Sequence, residues 1–213
     1  MRVTFGITTD YKSIDQLKEV ISSIAALKIP DYEIVIVGER DYLTFDKISD
    51  KVRCIKFDET VKPGWTTRKK NIICQEAQYE NVVLMHDYYV FDKDWYKNME
   101  QFTKDVWWDI CSCQQLLING KRHFTDWVVW DDPIYPRYSA LPYDEWTRVP
   151  YMYISGGFFM VKKQVALDNP FNENLVHGQA EDVEWSLRVR DKYRIVCNGA
   201  AIVIHNKVHR DAQ

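Results

Sequence analysis

Short apolar runs and amphipathic helical patterns alternate along the first 90 residues. In the first run Val3, Phe5 and Ile7 alternate with small or polar residues, and a capping box at Ser13 then opens a helix with apolar residues at helical spacing. A second helical pattern covers residues 67–78. The runs that predict strands lie at residues 3–9, 33–37, 52–57 and 81–86. This alternation predicts βαβ units in an open, Rossmann-like sheet, which binds ligands at the carboxyl ends of its strands.

The pattern changes in the second half of the chain. Residues 107–146 contain five of the eight tryptophans, and residues 131–150 contain four of the seven prolines. Because proline removes backbone donors, we expect a largely irregular segment that carries many aromatic faces. Regular elements return afterwards: a strand over residues 151–163 interrupted by two glycines, a helix over 179–191, and an apolar stretch over 195–205 broken by a turn at Asn198 and Gly199.

Composition limits the classes of function. A chain of 213 residues with 46% hydrophobic side chains predicts one packed domain. Its net charge of −3 supplies no basic field for a polyanion, which argues against nucleic acid as a partner. No stretch approaches the roughly 18 apolar residues of a membrane span, so we expect a soluble protein without an integral membrane segment. The five cysteines are scattered, as is typical of reduced thiols in a cytoplasmic protein.

Polar side chains follow three of the predicted strands. Thr8 and Thr9 end the first strand, Glu39 follows the second, and Asp87 follows the strand over residues 81–86. Because parallel strands end at one edge of the sheet, we expect these side chains to lie together. A carboxylate there can hold a hard divalent cation that neutralises a diphosphate, although an aspartate can equally cap the turn before the next helix.

Three cations, Arg68, Lys69 and Lys70, stand near the start of the helical pattern over residues 67–78. A cation at a helix N-terminus is unfavourable by about 0.3–1 kcal/mol, so three of them indicate a nearby anion. Lysines are usually solvated at the surface. We therefore assign the anion contact to Arg68 alone.

Two acids, Glu181 and Asp182, stand near the start of the helical pattern over residues 179–191. Acids are favoured at a helix N-terminus whatever the function of the protein. The alternative is a general base that the same helix dipole keeps ionised and aimed at a substrate hydroxyl. Spacing alone leaves both interpretations open.

His205 ends the last apolar run. By itself, a histidine at a strand end is more typical of a surface residue than of a metal ligand.

Taken in order, these motifs resemble the GT-A glycosyltransferases, especially the inverting family 2 enzymes, and in the second half the β-1,4-galactosyltransferase group. The motifs span nearly the whole chain: EIVIV with an acid after it, TTRKKN, VVLMHDYY, SGGFFMVKK with NPFNEN, GQAEDVEWSLRVR and IVIH. The resemblance implies one α/β GT-A domain over residues 1–213, with a mixed, mostly parallel sheet flanked by helices. Residues 1–90 would bind the nucleotide and residues 91–213 the acceptor.

The resemblance also implies a role for individual residues. Asp182 would be the catalytic base, with Glu181 contacting the acceptor or the sugar. Asp87, in a motif where His86 and Tyr88 replace the usual acids, would bind Mn²⁺ or Mg²⁺ together with His205. The residues implied to bind the donor are Thr8, Thr9, Glu39, Arg68, Asp87, Gly156 and Gly157.

Aromatic residues of the irregular segment are candidates for the acceptor side of the cleft, because their flat faces suit the C–H face of a sugar. We expect Trp107 and Trp108 to be mostly buried and Tyr135 to lie near the cleft. The residues predicted to bind the acceptor are Trp127, Trp130, Asp131, Asp132, Trp146 and Trp185.

The sequence therefore predicts a metal-assisted inverting glycosyltransferase that moves a hexose from a nucleotide diphosphate sugar, such as a UDP-sugar, to a hydroxyl of a glycan or other acceptor. One alternative is a sugar nucleotidyltransferase, which would normally carry a glycine-rich phosphate loop after the first strand. The other is a non-catalytic sugar- or nucleotide-binding module, favoured by the altered metal motif and opposed by the intact pair of Glu181 and Asp182.

Overall fold

The computed structural model describes residues 1–10, 13–39 and 49–207. The strands are β1 (Val3–Thr8), β2 (Tyr32–Gly38), β3 (Val52–Lys56), β4 (Asn81–His86), β5 (Tyr89–Phe91), β6 (Ile110–Leu117), β7 (Val128–Val129), β8 (Met152–Tyr153), β9 (Phe158–Lys162) and β10 (Ile195–His205). The α-helices are α1 (Ile14–Ala26), α2 (Thr66–Glu76), α3 (Trp95–Asp105), α4 (Lys163–Asp168) and α5 (Glu181–Val189).

Eight strands form one mixed sheet in the order β3-β2-β1-β4-β9-β6-β10-β5. Strands β3, β2, β1 and β4 run parallel to one another, and β6 and β10 run parallel to each other. Strand β9 runs antiparallel between β4 and β6, and β5 runs antiparallel to β10. Strands β7 and β8 form a separate small sheet. This arrangement confirms the predicted α/β class with a mixed, mostly parallel sheet.

Two hydrophobic clusters cover the two faces of the sheet. Alternate residues of β2 belong to different clusters: Ile34 lies in the first and Val35 in the second. Because both faces of the strand are buried, β2 is apolar throughout. Helices α1 and α3 pack on the first face, and α2, α4 and α5 pack on the second. Ser13 caps α1 by accepting a 3.3 Å hydrogen bond from the Gln16 backbone N–H, whereas the Gln16 side chain donates to the Asn206 carbonyl.

The last apolar stretch is one strand of 11 residues, which corrects the predicted turn at Asn198 and Gly199. Strand β10 pairs with β6 on both sides of an irregularity between Asn198 and Ile202. The Asn198 amide donates to the Asn98 carbonyl at 3.1 Å, and a Cβ at Gly199 would lie 2.7 Å from Tyr143 Cβ. This Asn-Gly pair therefore stands at a bulge, where the register between β10 and β6 shifts, and it does not end the strand.

Four of the five cysteines, Cys74, Cys111, Cys113 and Cys197, are buried free thiols, and Cys54 is partly buried. Among residues 1–10, 13–39 and 49–207, no helix is both long enough and apolar enough to cross a membrane.

Candidate active site

The carboxyl ends of β1 and β4 bring the first group of predicted residues together. Thr8 lies opposite His86 in the parallel pair, with its Oγ1 3.1 Å from His86 Nδ1. The next residue, Thr9, donates a hydrogen bond to the Asp87 carboxylate. Burial raises the pKa of Asp87, and the negative charge of Asp10 raises it further. The hydrogen bond from Thr9 opposes this shift. The predicted meeting of Thr8, Thr9 and Asp87 at one sheet edge is therefore present.

His205 reaches the same edge from β10. It lies opposite Tyr89 in the β10–β5 pair, and the Asn206 N–H donates to the Tyr88 carbonyl at 2.8 Å. The His205 ring centroid is 4.7 Å from the Tyr88 ring and 4.7 Å from the His123 ring. Asp87 and His205 thus belong to neighbouring, antiparallel segments, with Tyr88 packed against the imidazole.

His86 is a buried, neutral member of this edge. Its ring stacks on Tyr88 at 5.3 Å and meets the His177 ring edge-on at 5.5 Å. Burial holds the pKa of His86 well below its usual value, and the nearby charge of Lys70 acts in the same direction. The imidazole therefore remains uncharged at neutral pH.

Two lysines of α2 point into the site, which corrects the expectation that they are solvated. Lys69 is 3% exposed and donates to the Thr9 carbonyl at 2.8 Å, and Lys70 is 0% exposed and donates to the Gly156 carbonyl at 2.8 Å. The Arg68 side chain is instead 41% exposed and pairs with Glu173 at 2.9 Å. Burial lowers the pKa of Lys70, while the charges of Asp182 and Glu181 oppose that shift.

The two glycines after β8 allow close packing at the centre of the site. A Cβ at Gly156 would lie 2.9 Å from Lys70 Nζ and 3.0 Å from Asp182 Cβ, and a Cβ at Gly157 would lie 2.8 Å from the Tyr89 hydroxyl. A side chain at either position would therefore displace its neighbours.

Asp182 is fixed by three hydrogen bonds at the start of α5. Its Oδ2 accepts from the Tyr153 hydroxyl at 2.9 Å and from the Gly156 N–H at 2.9 Å, and its Oδ1 accepts from the Val183 N–H at 2.9 Å. The Ser186 hydroxyl donates to the Asp182 carbonyl at 2.7 Å, which holds the first turn of the helix. The carboxylate is half-buried and has a defined orientation.

Glu181 is more deeply buried than Asp182, since only 4% of its surface is exposed. One carboxylate oxygen lies 3.7 Å from His177 Nδ1. Burial by itself would raise the pKa of Glu181, but hydrogen bonds from His177 and the Glu181 backbone, together with the charge of Lys70, lower it. Glu181 is therefore a buried, ionised partner of His177, while Asp182 is the more accessible acid.

The predicted acceptor residues separate into two groups. Trp127 and Trp185 are each 1% exposed, which argues against the predicted contact of either ring with an acceptor. Trp185 stacks on Phe171 at 4.8 Å, and its N–H donates to the Asn169 carbonyl at 2.7 Å, so both of its faces belong to the core.

Of the other predicted acceptor residues, Trp130, Asp131 and Trp146 are at least partly accessible, whereas the Asp132 side chain is not exposed. Trp130 is half-buried, and Trp146 lines a cavity of about 320 Å³ with Phe102 and Tyr143. Asp131 lies 3.7 Å from Arg137, and Asp132 pairs with Arg148 at 3.0 Å.

Three further expectations concern Tyr135, the adjacent Trp107 and Trp108, and Glu39. Tyr135 is 42% exposed and lies below the Arg148 guanidinium at 4.9 Å. Trp108 is 3% exposed, as predicted, whereas Trp107 is 72% exposed and was wrongly expected to be buried. Glu39 is exposed after the end of β2.

Four residues at or beside the site were not predicted from the sequence: Lys70, Tyr138, Tyr153 and His177. A signal existed for Lys70, because it stands three residues after buried Thr67 and four before buried Cys74, on the inner face of the helix. No comparable pattern marks Tyr153, whose contact with Asp182 joins residues 29 positions apart.

Two side chains at the sheet edge, those of Asp87 and His205, are of types that bind divalent cations. In the described part of the chain, no group of three or more His, Cys, Asp or Glu side chains is arranged to hold a metal ion. Mg²⁺ is commonly held by one or two carboxylates together with substrate phosphates. Asp87 and His205 carry a carboxylate and an imidazole at this edge, so they are the candidate ligands of such a site.

Known structures share this arrangement of strands and helices. The chain matches S. aureus TarS 1–349 in complex with UDP-GlcNAc with a TM-score of 0.67 and 15% identity, over 98% of this chain and 60% of that one. It matches GalNAc-T7, solved with UDP, GalNAc and Mn²⁺, with a TM-score of 0.72 and 13% identity, over 96% of this chain and 43% of that one. The chain thus spans less than two thirds of either protein. No protein-family model and no curated protein sequence matches it.

These similarities show the fold. The chain has the GT-A glycosyltransferase fold, and its candidate active site lies at the carboxyl edge of the parallel strands.

Proposed function

We propose that the chain is an inverting glycosyltransferase that moves a hexose from a UDP-sugar to a hydroxyl group of its acceptor. The observation that carries the proposal is the position of Asp182. A half-buried carboxylate, fixed by three hydrogen bonds, stands beside the Gly156 backbone and the buried Lys70 ammonium. The fold that surrounds it is the GT-A fold, and its structural neighbours were solved with UDP, UDP-GlcNAc and GalNAc.

Asp182 acts as the general base in this proposal. From described residues, its Oδ2 accepts two hydrogen bonds and its Oδ1 accepts one, so Oδ1 has the greater remaining capacity for the acceptor proton. As the acceptor oxygen attacks the anomeric carbon, its proton passes to Asp182. The bond from that carbon to the diphosphate oxygen breaks, and its electron pair leaves with UDP. One direct displacement inverts the anomeric configuration.

Glu181 supports the base rather than replacing it. Its carboxylate is 4% exposed and is engaged by His177, so it is not free to attack the sugar as a nucleophile. Its charge, together with that of Asp182, compensates the buried ammonium of Lys70.

The residues at the sheet edge would bind the nucleotide-sugar donor. Thr8, Thr9 and Glu39 would line the nucleoside pocket, and Gly156 and Gly157 would admit the sugar. Arg68 would have to leave its ion pair with Glu173 to reach the nucleotide. Asp87 and His205 would hold Mn²⁺ or Mg²⁺, which supplies positive charge to the departing diphosphate when it is bound.

On the acceptor side we retain four of the predicted residues. Trp130 and Asp131 are the nearest to the base, since Trp130 packs on Tyr153 and Tyr153 bonds to Asp182. Trp146 would make an outer contact, and Asp132 would orient Arg148, with which its unexposed carboxylate pairs. The four buried free thiols support work in the reducing cytoplasm.

Release of the nucleotide tests the proposal. The protein is incubated with a panel of UDP-, GDP- and CDP-sugars, with and without Mn²⁺, and the released nucleotide is measured. We expect release from a UDP-hexose that increases when a glycan acceptor is added. Release of pyrophosphate from a sugar phosphate and a nucleoside triphosphate would instead identify a nucleotidyltransferase, and binding of UDP-sugar without any turnover would identify a binding module.

A further inference from the structure

A buried ammonium lies behind the proposed base and takes no direct part in the proposed reaction. Lys70 is 0% exposed, and its Nζ donates a 2.8 Å hydrogen bond to the Gly156 carbonyl. Burial disfavours an ionised ammonium, so lysines are almost never fully buried unless they are paired. An apolar side chain would fill this space in the interior of α2 without that cost. The ammonium therefore indicates a role beyond packing.

The charge of Lys70 is compensated from one helix. Burial lowers the pKa of the ammonium, while the negative charges of Asp182 and Glu181, at the start of α5, oppose that shift. The Phe171 ring centroid lies 5.2 Å from Lys70 Nζ. Cys74, one turn further along α2, is a neutral thiol because burial raises its pKa to about 12. The ammonium is thus coupled to the two acids of the candidate active site.

Gly156 connects the ammonium to the proposed base through its backbone. The Gly156 N–H donates to Asp182 Oδ2 at 2.9 Å, and the Gly156 carbonyl accepts from Lys70. A Cβ at Gly156 would lie 2.9 Å from Lys70 Nζ and 3.2 Å from Asp182 Oδ2. Both charged groups therefore lie against the same side of this glycine, which is held between them.

The segment around Gly156 depends on side chains for its position. Residues 154–157 lie between β8 and β9. The Ile154 N–H donates to Ser186 Oγ at 3.0 Å, and the Gly157 carbonyl accepts from the His86 N–H at 3.0 Å. Lys70 adds the charged donor to this set, and a hydrogen bond from a charged donor is stronger than a neutral one. Its loss would leave the Gly156 carbonyl without this partner.

We infer that Lys70 is a positioning residue for the base: it fixes the Gly156 backbone, which in turn fixes the Asp182 carboxylate. The inference rests on the proposed function, because it assigns a further residue to the same reaction. Lys70 is buried, so it acts through the glycine and not by contact with the donor or the acceptor. A displacement of about 1 Å can slow turnover roughly 100-fold, so loss of this anchor should lower kcat rather than weaken binding.

Amide hydrogen exchange tests the anchor without any turnover. Lys70→Met keeps the length of the side chain and removes the ammonium, and exchange of the Gly156 N–H is followed by NMR in variant and wild type. We expect this N–H to exchange about 10-fold faster in Lys70→Met, because the carbonyl of the same residue is no longer held. Exchange at Val35, in the centre of the sheet, reports global unfolding and is used to correct for any change in stability.

Lys163→Met is the matched control for this experiment. Lys163 Nζ also donates to a backbone carbonyl, that of Ala77 at 2.6 Å, but near the amino end of β4 and away from the site. Its loss should leave exchange at Gly156 unchanged after the same correction. Equal exchange at Gly156 in Lys70→Met and wild type, or an equal increase in Lys163→Met, would overturn the inference.

Kinetics test the consequence for the reaction. In Lys70→Met we expect the UDP-sugar Kd and the acceptor KM to stay within about twofold of wild type, while kcat per folded molecule falls roughly 10- to 100-fold. Because Lys70 acts through Asp182, the same substitution in an Asp182→Asn background should lower kcat by no more than about twofold. Additive losses of kcat, or a loss confined to KM, would overturn the positioning role.

The two proposals fail in different ways. If Gly156 exchanges faster in Lys70→Met but no nucleotide is released from any nucleotide sugar by the wild type, the proposed function fails and the anchoring of Gly156 by Lys70 remains. If the wild type releases nucleotide and kcat per folded molecule is the same in Lys70→Met, the positioning role fails and the proposed function remains.

Discussion

The Tyr153 hydroxyl donates a 2.9 Å hydrogen bond to Oδ2 of Asp182, across 29 positions of sequence. This bond connects the small β7–β8 sheet to the start of α5. The second carboxylate oxygen, Oδ1, accepts from the Val183 N–H in the first turn of that helix. The orientation of the proposed base therefore depends on a residue of the irregular, aromatic half of the chain.

Removing that hydroxyl should slow turnover without weakening acceptor binding. Tyr153→Phe keeps the ring but loses a hydrogen bond to a charged group, which contributes about 1.5–3 kcal/mol. We expect kcat to fall roughly 10-fold, since only part of that energy fixes the orientation of the base. Steady-state kinetics with varied acceptor check this. A rise in the acceptor KM at constant kcat would show that Tyr153 only contacts the acceptor.

A methyl group at Gly156 should damage catalysis more than it damages the fold. In Gly156→Ala the new Cβ would lie 2.9 Å from Lys70 Nζ and 3.0 Å from Asp182 Cβ, so Asp182 must shift. A displacement of about 1 Å can reduce turnover by roughly 100-fold. The prediction is checked by measuring turnover per folded molecule. Circular dichroism gives the folded fraction.

Gly199→Ala is the matched control for this prediction. Its new Cβ would lie 2.7 Å from Tyr143 Cβ, in the β10 bulge. Overpacking of this kind costs about 1–3 kcal/mol of stability. Turnover per folded molecule should stay at the wild-type value. Equal losses of turnover in the two variants would contradict the special position of Gly156.

Stability should fall as the pH drops below the ordinary pKa of histidine, and His86 should contribute to that fall. Burial lowers the folded-state pKa of His86, so below about pH 6.5 the unfolded chain binds a proton that the folded chain does not. The free energy of unfolding then decreases by up to about 1.4 kcal/mol per pH unit. Urea unfolding between pH 7 and pH 5, in the presence of chelator, measures this slope. His86→Gln should reduce it, and an unchanged slope would contradict the assignment.

The sheet was predictable because its strands are buried on both faces. Val35 and Val37 enter one hydrophobic cluster while Ile34 and Ile36 enter the other, so the strand appears in the sequence as a continuous apolar run. The ends of β1 and β4 then fix Thr8, Thr9 and Asp87 at one edge, since parallel register follows from the βαβ order.

The buried side chains in and around the site were less predictable. Lys70 was assigned to solvent from its residue type, but its position in the helix places it inside, where the Gly156 carbonyl and two nearby carboxylates compensate its charge. Trp127 and Trp185 were assigned to the cleft from their chemistry, but large rings also fill cores. The contact of Tyr138 with Tyr153 depends on the path of a loop, which local patterns do not specify.

Chelation should weaken nucleotide binding if Asp87 and His205 hold a divalent cation. Calorimetric titration with UDP in Mn²⁺ is compared with titration in EDTA, and we expect a clear loss of affinity in EDTA. Asp87→Ala should show the same loss in Mn²⁺ and no further loss in EDTA, because the variant lacks the carboxylate ligand. Identical UDP affinity in Mn²⁺ and EDTA for the wild-type protein would contradict the metal assignment.

The identity of the base is the central claim, and turnover of Asp182→Asn compared with Glu181→Gln tests it most directly. The asparagine keeps the shape of the carboxylate but cannot accept the acceptor proton, so we expect UDP-sugar affinity to persist while kcat falls roughly 10²- to 10⁴-fold. Glu181→Gln should retain more of the turnover, because Glu181 is buried against His177. Turnover of Asp182→Asn within a few-fold of wild type, with Glu181→Gln inactive, would contradict the account.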